Sequence, residues 1–197
     1  MAITTVIHKF VTNLAKRAQT KYIVCHHRAG TGDVESIHRQ HLNIGYSGIG
    51  YHYYIRKDGS IFTGRPVDTV GAHCKGNNAN SVGICFEGNF ENDVMSDVQL
   101  KSGQYLINYL KQLYPKATVV RHKDLYATAC PGAKFPFDKL KNAKVTLKQE
   151  LTSGNDIAWE LTQKVKIHDV DGLVKAIDKA KAENSPLYWV LYKLVNL

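Results

Sequence analysis

Two side chains set the chemical question. In "VVRHKDLYATACPG", residues 119–132, a histidine (His122) and a cysteine (Cys130) stand eight positions apart, and Pro131-Gly132 closes the segment. The stretch has the character of a loop rather than a helix. Imidazole and thiolate together suit Zn2+, so the pair reads as a zinc site that lacks its third ligand. Nine histidines are available to complete it. His8 and His168 lie in weakly patterned ends, and His38 and His41 fall on a helical stretch. His26-His27 differs, because it ends the apolar run "YIVCHH" and opens into "RAGTG". A strand end that empties into a loop is where α/β domains place chemistry.

The elements that must position these residues follow from periodicity. Strand signals occur at 21–27, 51–59, 60–66, 81–88 and 117–120, as β-branched or aromatic runs bounded by Gly, Asn or Asp. Asp58-Gly59 between two such runs predicts a tight hairpin, since glycine readily supplies the positive φ of such turns. Helical periodicity occupies 33–43, with Asp33 as cap and Val34, Ile37, His38 and His41 near one face. A second helix is expected over 96–115, stopping at Pro115. Strands alternating with helices predict an α/β fold: a single mixed central β-sheet flanked by helices, with a small C-terminal all-helical unit.

The domain reading is a first unit over residues 1–150 and a second over 151–197. In the second, "DIAWELTQKV", "DVDGLVKAIDKAKA" and "SPLYWVLYKLVNL" each carry an apolar stripe at helical spacing. Ser185 and Pro186 open the last of them as cap and first helical residue. Three short helices bury little core of their own. The expected roles are wall targeting, self-association into a homo-oligomer, or a structural cap.

Net charge is +9 over 197 residues. Residues 151–197 hold six lysines and six acids, so the excess belongs entirely to residues 1–150. A basic domain suits nucleic acid, anionic lipid or an anionic wall polymer. No Lys/Arg cluster interleaves with aromatics, which argues against nucleic acid. No run of about 18 apolar residues occurs, so membrane insertion is not expected. The first residues show no secretory signal, which predicts synthesis in a cytoplasm and action elsewhere only after release. In such a compartment the four cysteines are expected as free thiols or metal ligands. Cys25 and Cys85, in apolar runs, read as small buried hydrophobes.

Four blocks, "YIVCHHRAG", "GIGYHYYIRKDGSIFTGRP", "VGAHCKGNNANSVGICFEGNF" and "RHKDLYATACPG", stand in the order found in the zinc N-acetylmuramoyl-L-alanine amidases. Over roughly residues 20–140 the chain resembles that family, shared by phage lysozyme-like amidases and animal peptidoglycan-recognition proteins. The resemblance implies Zn2+ as cofactor, held by His26, His122 and Cys130. Three protein ligands leave a tetrahedral position open, as in catalytic rather than structural zinc sites. It further implies Tyr51 as the catalytic tyrosine, where the ordinary fate of a tyrosine in such a run is packing. Thr128 stands where phage members carry a lysine, so it can hydrogen-bond an oxyanion but supplies no charge.

His73 matches a histidine of the family's substrate groove, with a structural role as its alternative. Asn80 fits either that groove or a turn. The wall-recycling branch of the family has a catalytic glutamate where this chain has Cys85, and Glu87 is kept as an outside candidate. The implied activity is hydrolysis of the amide between the lactyl group of N-acetylmuramic acid and L-alanine in bacterial peptidoglycan. A phage endolysin is the expected context. The alternatives are a prophage-derived autolysin or a recognition module that binds peptidoglycan without cutting it.

Overall fold

The structure is a computed structural model that describes residues 3–142. The expected helical unit over 151–197, and the end of the first unit over 143–150, lie outside those residues. Six strands form one sheet: β1 (Ile3–Thr4), β2 (Tyr22–His27), β3 (Tyr53–Ile55), β4 (Ile61–Thr63), β5 (Ser81–Phe86) and β6 (Thr118–Arg121). Their order is β1-β4-β3-β5-β2-β6. Only β3 and β4 run antiparallel, and every other pair is parallel. The mixed α/β sheet expected from the sequence is the observed one.

Strands β5 and β2 are adjacent interior strands, and their sequences explain why. "SVGICF" is buried at every position, and Ile23 to His26 of β2 are buried as well. Continuous burial of this kind belongs to parallel strands covered on both faces. The two pair in register from Tyr22 with Ser81 through His27 with Phe86. The β3–β4 connection turns on Gly59, at φ +84°, whose N–H donates to the Arg56 carbonyl at 2.9 Å. Strand β1 was not anticipated; two residues are too short to show an alternation.

Helix α1 (Val34–Asn43) begins at Asp33, whose side chain accepts the Ser36 N–H. Its buried Val34 and Ile37 pack with Ile49, Tyr54 and Cys85 on one face of the sheet. Helix α2 (Asp97–Leu113) covers the other face from its Ser96 cap, with Leu106, Ile107 and Leu110 buried. Gly103 of α2 lies so close to Phe86 that an added Cβ would sit 2.7 Å from that ring. The short α3 (Phe137–Lys141) packs against α2.

This two-faced sheet decides which histidine of the pair can reach the site. In register, Tyr54, Cys85 and His26 are neighbours across β3, β5 and β2, whereas Ile55, Phe86 and His27 belong to the next row. Successive side chains of a strand alternate faces. His26 therefore shares the α1 face with Cys85, and His27 is turned toward the α2 face, where its Nδ1 accepts the Phe90 N–H at 3.2 Å.

Candidate metal centre

His26 is delivered by the end of β2 and is 1% exposed. His122 follows β6 directly, as the first residue of a 3-10 turn, His122–Asp124. The Asp124 carboxylate accepts the Arg121 N–H at 2.8 Å and is gripped by the Arg121 guanidinium, so the chain turns sharply where the strand ends. Cys130 returns to the same place: its carbonyl accepts the Lys123 N–H at 2.9 Å, and its thiol accepts the His27 N–H at 3.4 Å. Gly132, at φ +103°, lets the loop run against the backbone of Phe90, where an added Cβ would lie 2.4 Å from the carbonyl carbon.

The three ligand atoms come together within 4.8 Å of one another. His26 Nδ1 and Cys130 Sγ are 3.8 Å apart. Tetrahedral bonds of the usual lengths to one zinc ion would set a nitrogen and a sulfur about 3.6 Å apart. His122 Nε2 is buried and has no hydrogen-bond partner among the described residues. A buried nitrogen left without a partner is costly unless something else satisfies it. The donor set, its spacing and this orphaned atom fit a zinc ion.

The electrostatics point the same way. Burial, then the neighbouring histidines, hold His26 well below the ordinary histidine value, and burial lowers His122. Both imidazoles are thus kept neutral, the form that binds metal. Burial pushes the Cys130 thiol up to about 11, so its thiolate needs a cation beside it.

Beside the three residues lies a cleft of about 520 Å³, walled in part by Tyr51, His73, His122, Tyr46 and Tyr126. That size is typical of a pocket for a small-molecule-sized group. The Tyr51 ring is 5.2 Å from that of His26, and burial followed by the Cys85 and Cys130 thiols raises its hydroxyl well above the usual value. It remains protonated across the physiological range and can donate. Thr128 braces the loop that carries Cys130, its hydroxyl oxygen accepting the Cys130 N–H at 3.3 Å. The Thr128 O–H is left to donate elsewhere.

The remaining candidates have definite places. His73 lines the cleft, and both its ring nitrogens face protein atoms, His26 Nε2 at 3.0 Å and Ser81 Oγ at 3.4 Å. Asn80 closes a 3-10 turn, Asn78–Asn80, and its carbonyl accepts the Lys21 N–H at 2.7 Å. Its neighbour Asn78 reaches the cleft instead. Glu87, 5% exposed, is committed to the fold: its carboxylate accepts the Gly32 and Lys57 N–H groups at 3.1 and 3.0 Å. Cys25 and Cys85 are fully buried, and all four cysteines are free thiols. His41 is a cleft residue that the sequence reading passed over as an ordinary helix position. Its Nδ1 accepts the Gly50 N–H at 2.8 Å and its ring lies 5.5 Å from Tyr51. The available signal was its place on the inward stripe of α1.

A mixed α/β sheet whose strand ends gather two imidazoles and a thiol beside a tyrosine-lined cleft defines a class of amidase scaffold. The chain belongs to the N-acetylmuramoyl-L-alanine amidase family, which it matches over residues 16–133. Among curated relatives, the endolysin of Enterobacteria phage K11 is 33% identical over 126 residues, covering 59% of this chain and 83% of that protein. Peptidoglycan-recognition protein SC1a of Drosophila melanogaster is 31% identical over 124 residues, 56% of this chain and 67% of that protein. Among solved structures, the N-acetylmuramoyl-L-alanine amidase LysC from Clostridium intestinale superposes with a TM-score of 0.69 at 41% identity, over 71% of this chain and 94% of that one.

Proposed function

We propose that this protein is a zinc-dependent N-acetylmuramoyl-L-alanine amidase that cuts the bond between the lactyl group of N-acetylmuramic acid and L-alanine, and that it acts as a wall-lytic endolysin. The observation that carries the reading is the convergence of His26, His122 and Cys130 beside a cleft that Tyr51 also lines. Phage endolysins among its relatives support the lytic context. Zinc held by these three residues would supply a water of pKa near 7 and polarise an amide carbonyl.

The chain's own groups account for the rest. Tyr51, kept protonated by burial, donates to the oxygen on which negative charge develops. Thr128, whose oxygen accepts from the Cys130 N–H, keeps its O–H to serve the same oxygen as a neutral donor. Aromatic walls at Tyr46 and Tyr126 flank the cleft and suit the apolar faces of a sugar ring. Bacterial peptidoglycan is thus the proposed substrate, and the wall the place of action.

Digestion of purified peptidoglycan, with and without a chelator, tests the reading. New L-alanine amino termini that vanish on chelation and return with zinc are expected, with no new reducing ends. Binding to the wall without new termini would make the protein a recognition module instead.

A further inference from the structure

We propose that His73 is a positioning residue of the metal centre, accepting the Nε2–H of His26 so that the Nδ1 lone pair of His26 is aimed at the space shared with Cys130 and His122. The inference rests on the zinc reading above. Connectivity carries it first. His26 Nε2 is 3.0 Å from His73 Nδ1, and His73 Nε2 is 3.4 Å from Ser81 Oγ. Ser81 Oγ in turn lies 2.6 Å from the Asn77 carbonyl oxygen. A carbonyl only accepts, so the Ser81 hydroxyl donates to Asn77 and its oxygen is left to accept from His73 Nε2–H. A neutral imidazole with its proton on Nε2 is an acceptor at Nδ1. His26 must then donate from Nε2, which leaves Nδ1 bare on the side of Cys130 Sγ, 3.8 Å away.

Space carries it independently. The His73 ring lies in a slot between two glycines: an added Cβ would sit 2.6 Å from its Cγ at Gly83 and 2.4 Å from its Cδ2 at Gly71. The backbone beneath the ring is tied as well, with the His73 and Cys74 N–H groups both donating to Asn78 Oδ1 at 2.8 Å. Ligating histidines ordinarily place their second nitrogen on a carboxylate, a carbonyl or water. Here a neutral imidazole takes that part, so the site gains orientation without an added negative charge. With both nitrogens engaged, His73 has no free N–H to offer a peptide or an oxyanion, although its edge faces the cleft.

The test compares His73→Leu with His73→Asn in the full-length protein, reading zinc affinity by competition with a chromophoric chelator. Nitrogen-15 NMR of the His26 ring reads its tautomer in the zinc-free protein. His73→Leu should weaken zinc about 10- to 100-fold and release the single Nε2–H tautomer. His73→Asn, whose amide oxygen can stand where Nδ1 stood, should stay within about threefold of wild type. His73→Asn also guards against a misfolded leucine variant, since it keeps a polar side chain in the same slot. Wild-type affinity and tautomer in His73→Leu, or equal losses in the leucine and asparagine variants, would overturn the positioning role alone. Wild-type protein that binds no zinc would overturn the metal reading and this role with it.

Discussion

The proposed metal centre has two halves built differently. His26 stands on a central strand, hydrogen-bonded in register to β5 on one side and beside β6 on the other, at 1% exposure. His122 and Cys130 stand on a loop that leaves β6, half-buried, and are held by a 3-10 turn and a handful of backbone bonds. The strand half is rigid because two neighbouring ladders over-determine it. The loop half is accurate only so long as its local contacts last. Sites on strands and helices are generally better fixed than sites on loops. The difference predicts that the loop ligands, not His26, set how well the centre tolerates change.

The comparison breaks most decisively at Cys130. Cys130→Ser should abolish zinc binding and lower turnover more than about a hundredfold, beyond what loss of a supporting residue costs; full activity in a metal-free variant would remove the site altogether. Tyr51→Phe comes next. It should retain zinc stoichiometry, as measured by atomic absorption, while kcat falls about 10²- to 10³-fold, the usual loss of one oxyanion donor. Gly132→Ala probes the loop half directly. At φ +103° and with Phe90 backbone 2.4 Å from the new Cβ, it should cost on the order of 3 kcal/mol in denaturant unfolding. An unchanged midpoint would mean that the loop is looser than its contacts imply.

Acid probes the scaffold beside both halves, through His41 on α1 and His52 just before β3. Burial first, then nearby arginines, lowers His41 to about 4, and burial lowers His52 to about 3. Each is depressed below the ordinary 6.5, so the unfolded chain binds protons first as pH falls. Their contribution to stability is complete above about 6.5 and is lost progressively as pH falls toward 4 and then 3. The melting temperature of the zinc-free protein should decline across that window, and a flat profile would contradict it. The smallest effect on stability is expected at Thr128→Ala, which deletes one hydrogen bond to the Cys130 N–H. Because it also removes the proposed neutral donor, kcat should fall as well, by less than in Tyr51→Phe. About 1 kcal/mol of loop stability is at stake, read as a modest weakening of zinc.

Much of this was legible before the fold was known. The central strands showed themselves as unbroken apolar runs, and α1 and α2 by stripe, cap and stop. Their observed bounds, Val34–Asn43 and Asp97–Leu113, fall within the expected segments. Residues 51–59 and 60–66 shortened to Tyr53–Ile55 and Ile61–Thr63, because ladder pairing, not composition, ends a strand. His41 looked like an ordinary helix residue, and for Asn80 a groove role could not be separated from a turn role. A stripe states that a side chain points inward; it does not state that a cleft lies there.

What the sequence alone determined is the inventory and the local form: two imidazoles and a thiol at loop and strand ends, turn glycines, capped helices and an α/β alternation. Those depend on the chemistry of neighbours along the chain. Tertiary structure decided which of these residues meet. The pairing of His26 with Cys85 put His26, and not His27, on the side of Tyr51, and the glycine slot at Gly71 and Gly83 turned His73 toward His26. Strand register and close packing act between residues dozens of positions apart. One step of register reverses every side chain on a strand, so no local pattern can specify that outcome.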